Sequence, residues 1–489
     1  MKINRLLLLA PPAYTSKTAY RDINPLPPMG LGYLASMIKQ EVTCEVKILD
    51  CLAEGWNIEE DVNDLLIKVG ISDETIEKKI KAFNPDIVGI GCQFSRQYQI
   101  YNHIFALIKK INPNCIVVAG GAHATVCPQK TINDPNCDFV IIGEGEEPLK
   151  NLLVALNNNQ EVSQIDGLIW KKDGVIHTNE KKKWLTNLDL LPFPAYHLMN
   201  LEMYFGLPQS HGPRHKNKFM PIITSRGCPA KCTFCTAKKV WGDKYRARSV
   251  ENVIEEMRLL KNKYGIEEIM FEDDNVTANP KRAKELFSRM IEEKFNFVWD
   301  TPNGVGVWSI DEEMLDLMQK SGCVKINLPV ESGSQKVLTN IIKKPLNLDK
   351  VKRLIAYCRK IDLDYGMFLV MGMPGETIKD MWKSFKFAAK CKVFDPHISV
   401  ATPYPGSELL DNCLSNNYFT KKYTLDDLFI RSYMITTPEW GEKELRRTLA
   451  KGKIYLHIMQ TFHEPQHLFW IISRIITSPK RMFSFLRGV

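Results

Sequence analysis

Short, wholly apolar runs recur through the first third of the chain, at Leu6 to Leu9, Val46 to Leu49, Ile87 to Ile90, Ile116 to Val118 and Phe139 to Ile142, with helical patterns between them. A run without polar alternation predicts a strand buried on both faces, and strands separated by helices pair in parallel. Residues 1–155 are therefore expected to form a doubly wound, Rossmann-like α/β domain. Glycine-bearing turns follow three of the runs: Gly89 and Gly91 in GIGCQFS, Gly120 and Gly121 in VAGGAHAT, and Gly143 and Gly145 in IIGEGEE. Open α/β sheets bind ligands at these carboxyl ends, and glycine lets a large cofactor approach the backbone. Tight turns in any α/β domain use glycine as well, so both readings stand on this feature alone. No GxGxxG opens the first helix, so the dinucleotide fingerprint is missing.

Residues 156–210 read as a linker, with a small hairpin around Asp173-Gly174 and a connector interrupted by proline, LDLLPFPAYHLM. From 211 to 420 the alternation resumes, with strands expected at Ile222 to Ser225, Ile269 to Glu272, Phe297 to Thr301, Lys325 to Pro329, Tyr365 to Met371 and Ile398 to Ala401. Helical patterns separate them at Val250 to Tyr264, Pro280 to Glu293, Asp311 to Lys320, Leu348 to Ile361 and Ile378 to Ala389. Six βα units predict a partial (β/α)6 barrel of the TIM type. Residues 421–489 read as a C-terminal helical region, amphipathic in GEKELRRTLAKGKIYLHIMQTF and then aromatic and basic, with no acidic residue after Glu464. Packing on the barrel and lying in a membrane interface both produce that pattern.

Composition narrows the class without naming a partner. The 489 residues amount to about three domains, and a hydrophobic fraction of 44% fills a sizeable core, which excludes disorder. Sixty-five Lys and Arg against 56 Asp and Glu leave a net charge of +9, compatible with anionic cofactors or a membrane surface and not demanding nucleic acid. The thirteen scattered cysteines are odd in number, and MKINRLLLLAPP is too short for a secretory signal, so a reducing cytoplasm is expected. The longest apolar stretches, such as Leu468 to Ile472, fall far short of the ~20 residues of a spanning helix.

The sharpest chemical signal is SRGCPAKCTFC, directly after the strand PIIT, with Cys228, Cys232 and Cys235 spaced CxxxCxxC. Structural zinc takes four ligands in pairs, and neither a fourth cysteine nor the upstream His211 and His215 stands at such a spacing. Three thiolates suit a [4Fe–4S] cubane with one iron left open, which is a binding site for a chelating substrate. The other ten cysteines, among them Cys323, Cys358, Cys391 and Cys413, sit in apolar contexts as small hydrophobes.

With the aromatic Phe234 before its last cysteine, this motif resembles the radical S-adenosylmethionine superfamily. FEDDNVTANPKRAKELF, VESGSQKVL, GMFLVMGMPGET and ISVATPYPGSELL, at the second, fourth, fifth and sixth strands, resemble its cobalamin-binding branch, and the similarity covers about residues 1–420. The resemblance implies a [4Fe–4S] cluster on the three cysteines, with the amino and carboxylate groups of S-adenosylmethionine on the fourth iron. It implies S-adenosylmethionine contacts from Phe234, Asp273, Asp274, Glu331, Ser332 and Gly372, and cobalamin contacts from Ser95, Gly120, Gly121, Gly143 and Gly145. Asp273 and Asp274 also read as an acid/base pair, a Mg2+ site or helix caps. The Asp-x-His-x-x-Gly pattern that gives cobalt a histidine elsewhere is broken, since Asp50 to Gly55 carries Leu52 at the histidine position. His123 reads as a substitute ligand or as a turn histidine bonded to cofactor or backbone.

The activity implied is C-methylation of an unactivated carbon by a 5′-deoxyadenosyl radical mechanism, with cobalamin carrying the methyl group. Ring closure or rearrangement, as in anaerobic magnesium-protoporphyrin monomethyl ester cyclase, is the alternative, and a non-catalytic cobalamin or iron–sulfur sensor is the third reading. The expected partners are a small-molecule substrate and an electron donor of the flavodoxin or ferredoxin type, with no nucleic acid; peripheral membrane contact through the C-terminal tail stands as the second reading of that tail, behind packing on the barrel.

Overall fold

The computed structural model describes residues 2–17, 23, 25–64, 66–207, 212–428 and 433–468. It comprises two compact units, one of Met1–Cys228, Thr236–Asp274 and Glu293–Val298, the other of Pro229–Cys235, Asn275–Glu292 and Trp299–Val489.

In the first unit five parallel strands, Arg5–Ala10, Glu45–Asp50, Ile87–Gly91, Ile116–Gly120 and Phe139–Ile141, form the expected sheet. Their spatial order is 45–50, 5–10, 87–91, 116–120, 139–141, so the winding reverses between the first and third strands. Successive side chains of a strand point to opposite faces, and RLLLLA is apolar on both. Leu6 and Leu8 pack with Leu31, Ile38, Leu149 and Leu152 on one face, while Leu7 and Leu9 pack with Ile76, Ile80, Ile104 and Ile108 on the other. The helix Asp73–Phe83 starts on Ser72, whose side chain accepts the Thr75 N–H, and stops at Asn84, which takes the left-handed conformation.

Two features of this unit differ from the expectation. The hairpin Leu168–Lys172 with Val175–Thr178 turns at Asp173 and Gly174, both at positive φ, and pairs antiparallel to Phe139–Ile141. The stretch read as a linker thus supplies the antiparallel edge of the first sheet. A three-stranded antiparallel sheet of Ala13–Ser16, Leu66–Val69 and Glu59–Asp61 has strands of three or four residues, too short to leave a periodic signal.

The six barrel strands appear in the expected order. Phe219–Ile222 and Glu268–Phe271 are parallel neighbours in the first unit. In the second, Cys323–Glu331, Asp364–Met371 and His397–Val400 run in parallel, and Trp299 and Asp300 of the strand Val298–Asp300 pair with the first of them. The helices Val250–Tyr264, Pro280–Glu292, Glu312–Lys320, Leu348–Lys360 and Ile378–Lys390 fall within a residue of their periodic patterns. The first strand ends at Ile222, three residues earlier than its apolar run predicts, because Thr224 and Ser225 turn toward the buried Asp273.

The C-terminal region is helical over Glu442–His463, and Phe419 and Thr437 form isolated bridges with Ile435 and Trp440 where helix was expected. Gly452 lies against Phe385, so close that a Cβ would overlap the ring, which seats this helix on Ile378–Lys390. The aromatic, basic stretch from 469 onward and His211 lie outside the described residues. No helix among the described residues is long and apolar enough to cross a membrane.

Candidate functional site

Beyond Ile222 the chain forms a two-residue strand, Ser225–Arg226, paired with Arg246–Ala247, and enters the cysteine loop through Gly227. Gly227 has φ +83°, and a Cβ there would stand 2.7 Å from the Lys244 carbonyl, so only glycine fits. Cys228 and Cys232 are half-buried and Cys235 is exposed. Between the last two, the Thr233 N–H donates to the Ile342 carbonyl at 3.0 Å and its hydroxyl to the Ile341 carbonyl at 3.0 Å, fixing that end of the loop. None of the thirteen cysteines is in a disulfide. Burial pushes the ten thiols outside the motif upward, Cys115, Cys137, Cys358 and Cys413 to about 12, so they stay protonated and are poor ligands. Three cysteines at CxxxCxxC spacing on one anchored loop, none of them in a disulfide, are a donor set that suits an iron–sulfur cluster. Among the described residues no three His, Cys, Asp or Glu side chains are grouped to hold a single metal ion.

The two aspartates of the FEDD segment differ in their surroundings. Asp273 is buried and accepts from the Thr224 N–H at 3.1 Å, the Thr224 hydroxyl at 2.8 Å and the Ser225 hydroxyl. Asp274 accepts the Gly227 N–H at 3.1 Å, one residue before Cys228. Burial pushes its carboxyl up to about 6, the Gly227 bond opposing and Asp273 adding to the shift.

Glu331 ends its strand at φ +66° and accepts from the Lys344 ammonium at 2.9 Å, both side chains being buried. Ser332 is fully buried and accepts the Ser334 N–H, beside Ser384. Gly372 adopts φ +84° and donates to Glu376 Oε2 at 2.9 Å, as does the Met373 N–H at 3.3 Å. Glu376 is fully buried with Oε1 lacking a partner, and burial pushes its carboxyl up to about 8 against those two bonds.

At the carboxyl ends of the first sheet, Gly121 has φ +97°, and a Cβ there would meet the Cys92 carbonyl at 2.7 Å. Gly143 has φ +72°, and a Cβ would press on Trp184. Gly120 differs: nothing lies within 4 Å of the point where its Cβ would be, so backbone stands open at the strand end. The two turns are joined by the Thr125 hydroxyl, which accepts the Gly143 N–H at 2.8 Å. Ser95 lies 3.1 Å from His123 Nδ1, and burial pulls that imidazole down to about 4, with Lys130 adding, so His123 is neutral. Leu52 packs beside Trp56 and Tyr204, and Asp50 accepts from the Ala53 N–H and the Tyr204 hydroxyl. Open space beside Gly120 and a loop without histidine suit a flat macrocycle held by amides.

The chain is 35% identical to the cytidylyl-2-hydroxyethylphosphonate methyltransferase of Streptomyces wedmorensis over 92% of its own length and 89% of that protein's. It belongs to the cobalamin-binding radical S-adenosylmethionine enzymes. The radical SAM superfamily model matches residues 222–388 and the B12 binding domain model residues 24–153. An uncharacterized methyltransferase of Pyrococcus horikoshii is 34% identical over 94% of this chain and 93% of its own. In fold, the enzyme matches the radical S-adenosylmethionine methyltransferase TsrM of Kitasatospora setae, solved with cobalamin and a [4Fe–4S] cluster bound, at TM-score 0.69 and 16% identity over 92% of this chain and 85% of that one. The fold is the expected α/β cobalamin-binding domain followed by a partial barrel, and the enzyme is a radical SAM methyltransferase whose cofactors are a [4Fe–4S] cluster, S-adenosylmethionine and cobalamin.

Sequence reasoning missed the group that ties two of these elements together. Glu144, inside the GEGEE turn, accepts from Arg226 at 2.9 Å and from Arg246 at 2.7 and 2.9 Å, and Arg226 reaches Glu146 at 2.5 Å. All four side chains are buried. Burial opposes ionisation of Glu146, and Arg226 overrides it, holding the carboxyl below its ordinary value. The available signal was an acid between two glycines and an arginine two residues before the first motif cysteine.

Proposed function

We propose that the enzyme methylates an unactivated carbon of a small molecule, with Cys228, Cys232 and Cys235 holding the cluster and the turns at Ser95, Gly120, Gly121, Gly143 and Gly145 receiving cobalamin. The observation that carries this reading is the run of three cysteines outside any disulfide, entered through Arg226, which is ion-paired to the glycine turn at Glu144. When bound, the three cofactors together supply a carbon-centred radical on the substrate and the methyl group. The protein's own part is to fix and to shield. Gly227 and Thr233 pin the two ends of the cysteine loop, and Asp274 holds the amide next to Cys228. The contacts to S-adenosylmethionine that we assign are Phe234, Asp273, Asp274, Glu331, Ser332 and Gly372, the carboxylates suiting its positive groups. Asp273 is held in place by Thr224 and Ser225.

The substrate class we favour is a small polar molecule, on the strength of the phosphonate methyltransferase relative. The electron donor is of the flavodoxin or ferredoxin type, and a cytoplasmic location accords with thirteen cysteines and no disulfide among them. We divide the chain at 155, 210 and 420, taking 156–210 as the connection that also carries the hairpin.

Anaerobic turnover with S-adenosylmethionine labelled in its methyl group tests the reading. Methyl transfer yields 5′-deoxyadenosine together with labelled product. Ring closure would yield 5′-deoxyadenosine with no label in product, and a sensor would yield neither.

A further inference from the structure

The helix Glu442–His463 has a second, unburied face that the chemistry does not use. Leu445, Thr448, Leu449, Gly452 and Leu456 make up its buried side. On the opposite side Lys443, Arg447, Lys451, Ile454, Ile458 and Phe462 follow one another at intervals of three or four residues, which places them in one continuous row. All six are exposed, and the three apolar ones are 37%, 50% and 78% accessible, values unusual for large apolar side chains on a surface. Glu442 and Glu444 stand in the first turn, where Glu444 accepts the Gly441 N–H, and from Leu445 to His463 the helix carries no acidic residue. Leu468 just beyond is 48% exposed.

We infer that this row is a docking face for an anionic lipid surface. The argument is one of charge as much as of apolar area. A row meant for another protein's apolar groove gains nothing from three cations in line, and the carboxylate beside them, Glu444, is held at the helix start by the Gly441 N–H. An amphipathic face with lysine and arginine beside large apolar side chains is the composition that settles into the headgroup region of negatively charged bilayers. The sequence past Glu464 keeps the same bias, with Arg474, Lys480, Arg481 and Arg487 and no acid. The inference stands apart from the reaction proposed above, since no residue of the row belongs to the cofactor sites.

The test is flotation of the full-length, cofactor-loaded enzyme with phosphatidylcholine vesicles and with vesicles that also contain phosphatidylglycerol. The expected result is binding at least about tenfold stronger to the anionic vesicles, weakening as salt is raised. Lys443→Glu with Arg447→Glu and Lys451→Glu removes the preference for anionic lipid, and Ile458→Asp with Phe462→Asp removes binding altogether. Both variants keep the parent's iron content and 5′-deoxyadenosine formation, which separates this test from that of the reaction. Equal binding to the two vesicle types, or undiminished binding of the charge-reversed variant, overturns the inference. So does a change of oligomeric state by sedimentation in Ile458→Asp with Phe462→Asp when the parent floats with neither vesicle, which assigns the face to a second copy.

Discussion

Arg226 and Glu144 form a buried ion pair at 2.9 Å that joins the strand leading into the cysteine loop to the last glycine turn of the first sheet. A charge this deeply buried is stable only with its partner present. Arg226→Ala leaves Glu144 and Glu146 without their shared cation and is expected to cost about 3–5 kcal/mol, read as a lower denaturant midpoint. Arg226→Lys keeps the charge but loses the fork that spans two carboxylates, so it recovers only part of that loss. Cobalamin and iron content should fall together in Arg226→Ala, because one side chain braces both elements.

Replacing cysteines one at a time separates ligands from bystanders. Cys228→Ala, Cys232→Ala and Cys235→Ala should each lower bound iron and sulfide and abolish 5′-deoxyadenosine formation while the denaturant midpoint of the cofactor-free chain changes little. Cys358→Ala, at a buried site whose thiol burial holds protonated, should keep its iron and lose only a modest amount of stability. Iron analysis with chemical denaturation distinguishes the two outcomes.

The adjacent glycines of the GGAHAT turn should respond in opposite ways. Gly121→Ala forces a side chain into a positive φ and toward the Cys92 carbonyl, and is expected to destabilise the fold by about 1–3 kcal/mol. Gly120→Val adds its atoms to open space, so the cofactor-free chain should stay nearly as stable while cobalamin affinity drops. Thermal melting of the cofactor-free chain and spectroscopic titration with cobalamin read the two effects independently.

Glu376 predicts a slope of stability with pH. Its carboxyl is pushed up to about 8 from an ordinary 4.5, so between those values the folded chain holds a proton that the unfolded chain has released. Stability from this group is present in full below about pH 4.5 and is lost as pH rises through about 8. Glu376→Gln keeps an acceptor for the Gly372 and Met373 N–H groups and cannot ionise, so denaturant midpoints measured over that interval should show a flatter profile than the parent's.

The sequence by itself determined the order of strands and helices, the partial barrel and the cysteine motif, because each rests on local information. Wholly apolar runs declare doubly buried strands, helical periods declare the helices between them, and CxxxCxxC lies within eight residues. Only tertiary structure decided what distant residues do to one another. It assigned Asp273 to Thr224 and Ser225, made Asp274 the acceptor at the Gly227 amide, and turned the hairpin at Asp173 and Gly174 into a sheet edge. It also brought Arg226 to Glu144 across 82 positions of chain. A buried charge is ruled by the partner beside it and by the water it has lost, and neither is written in the neighbouring letters.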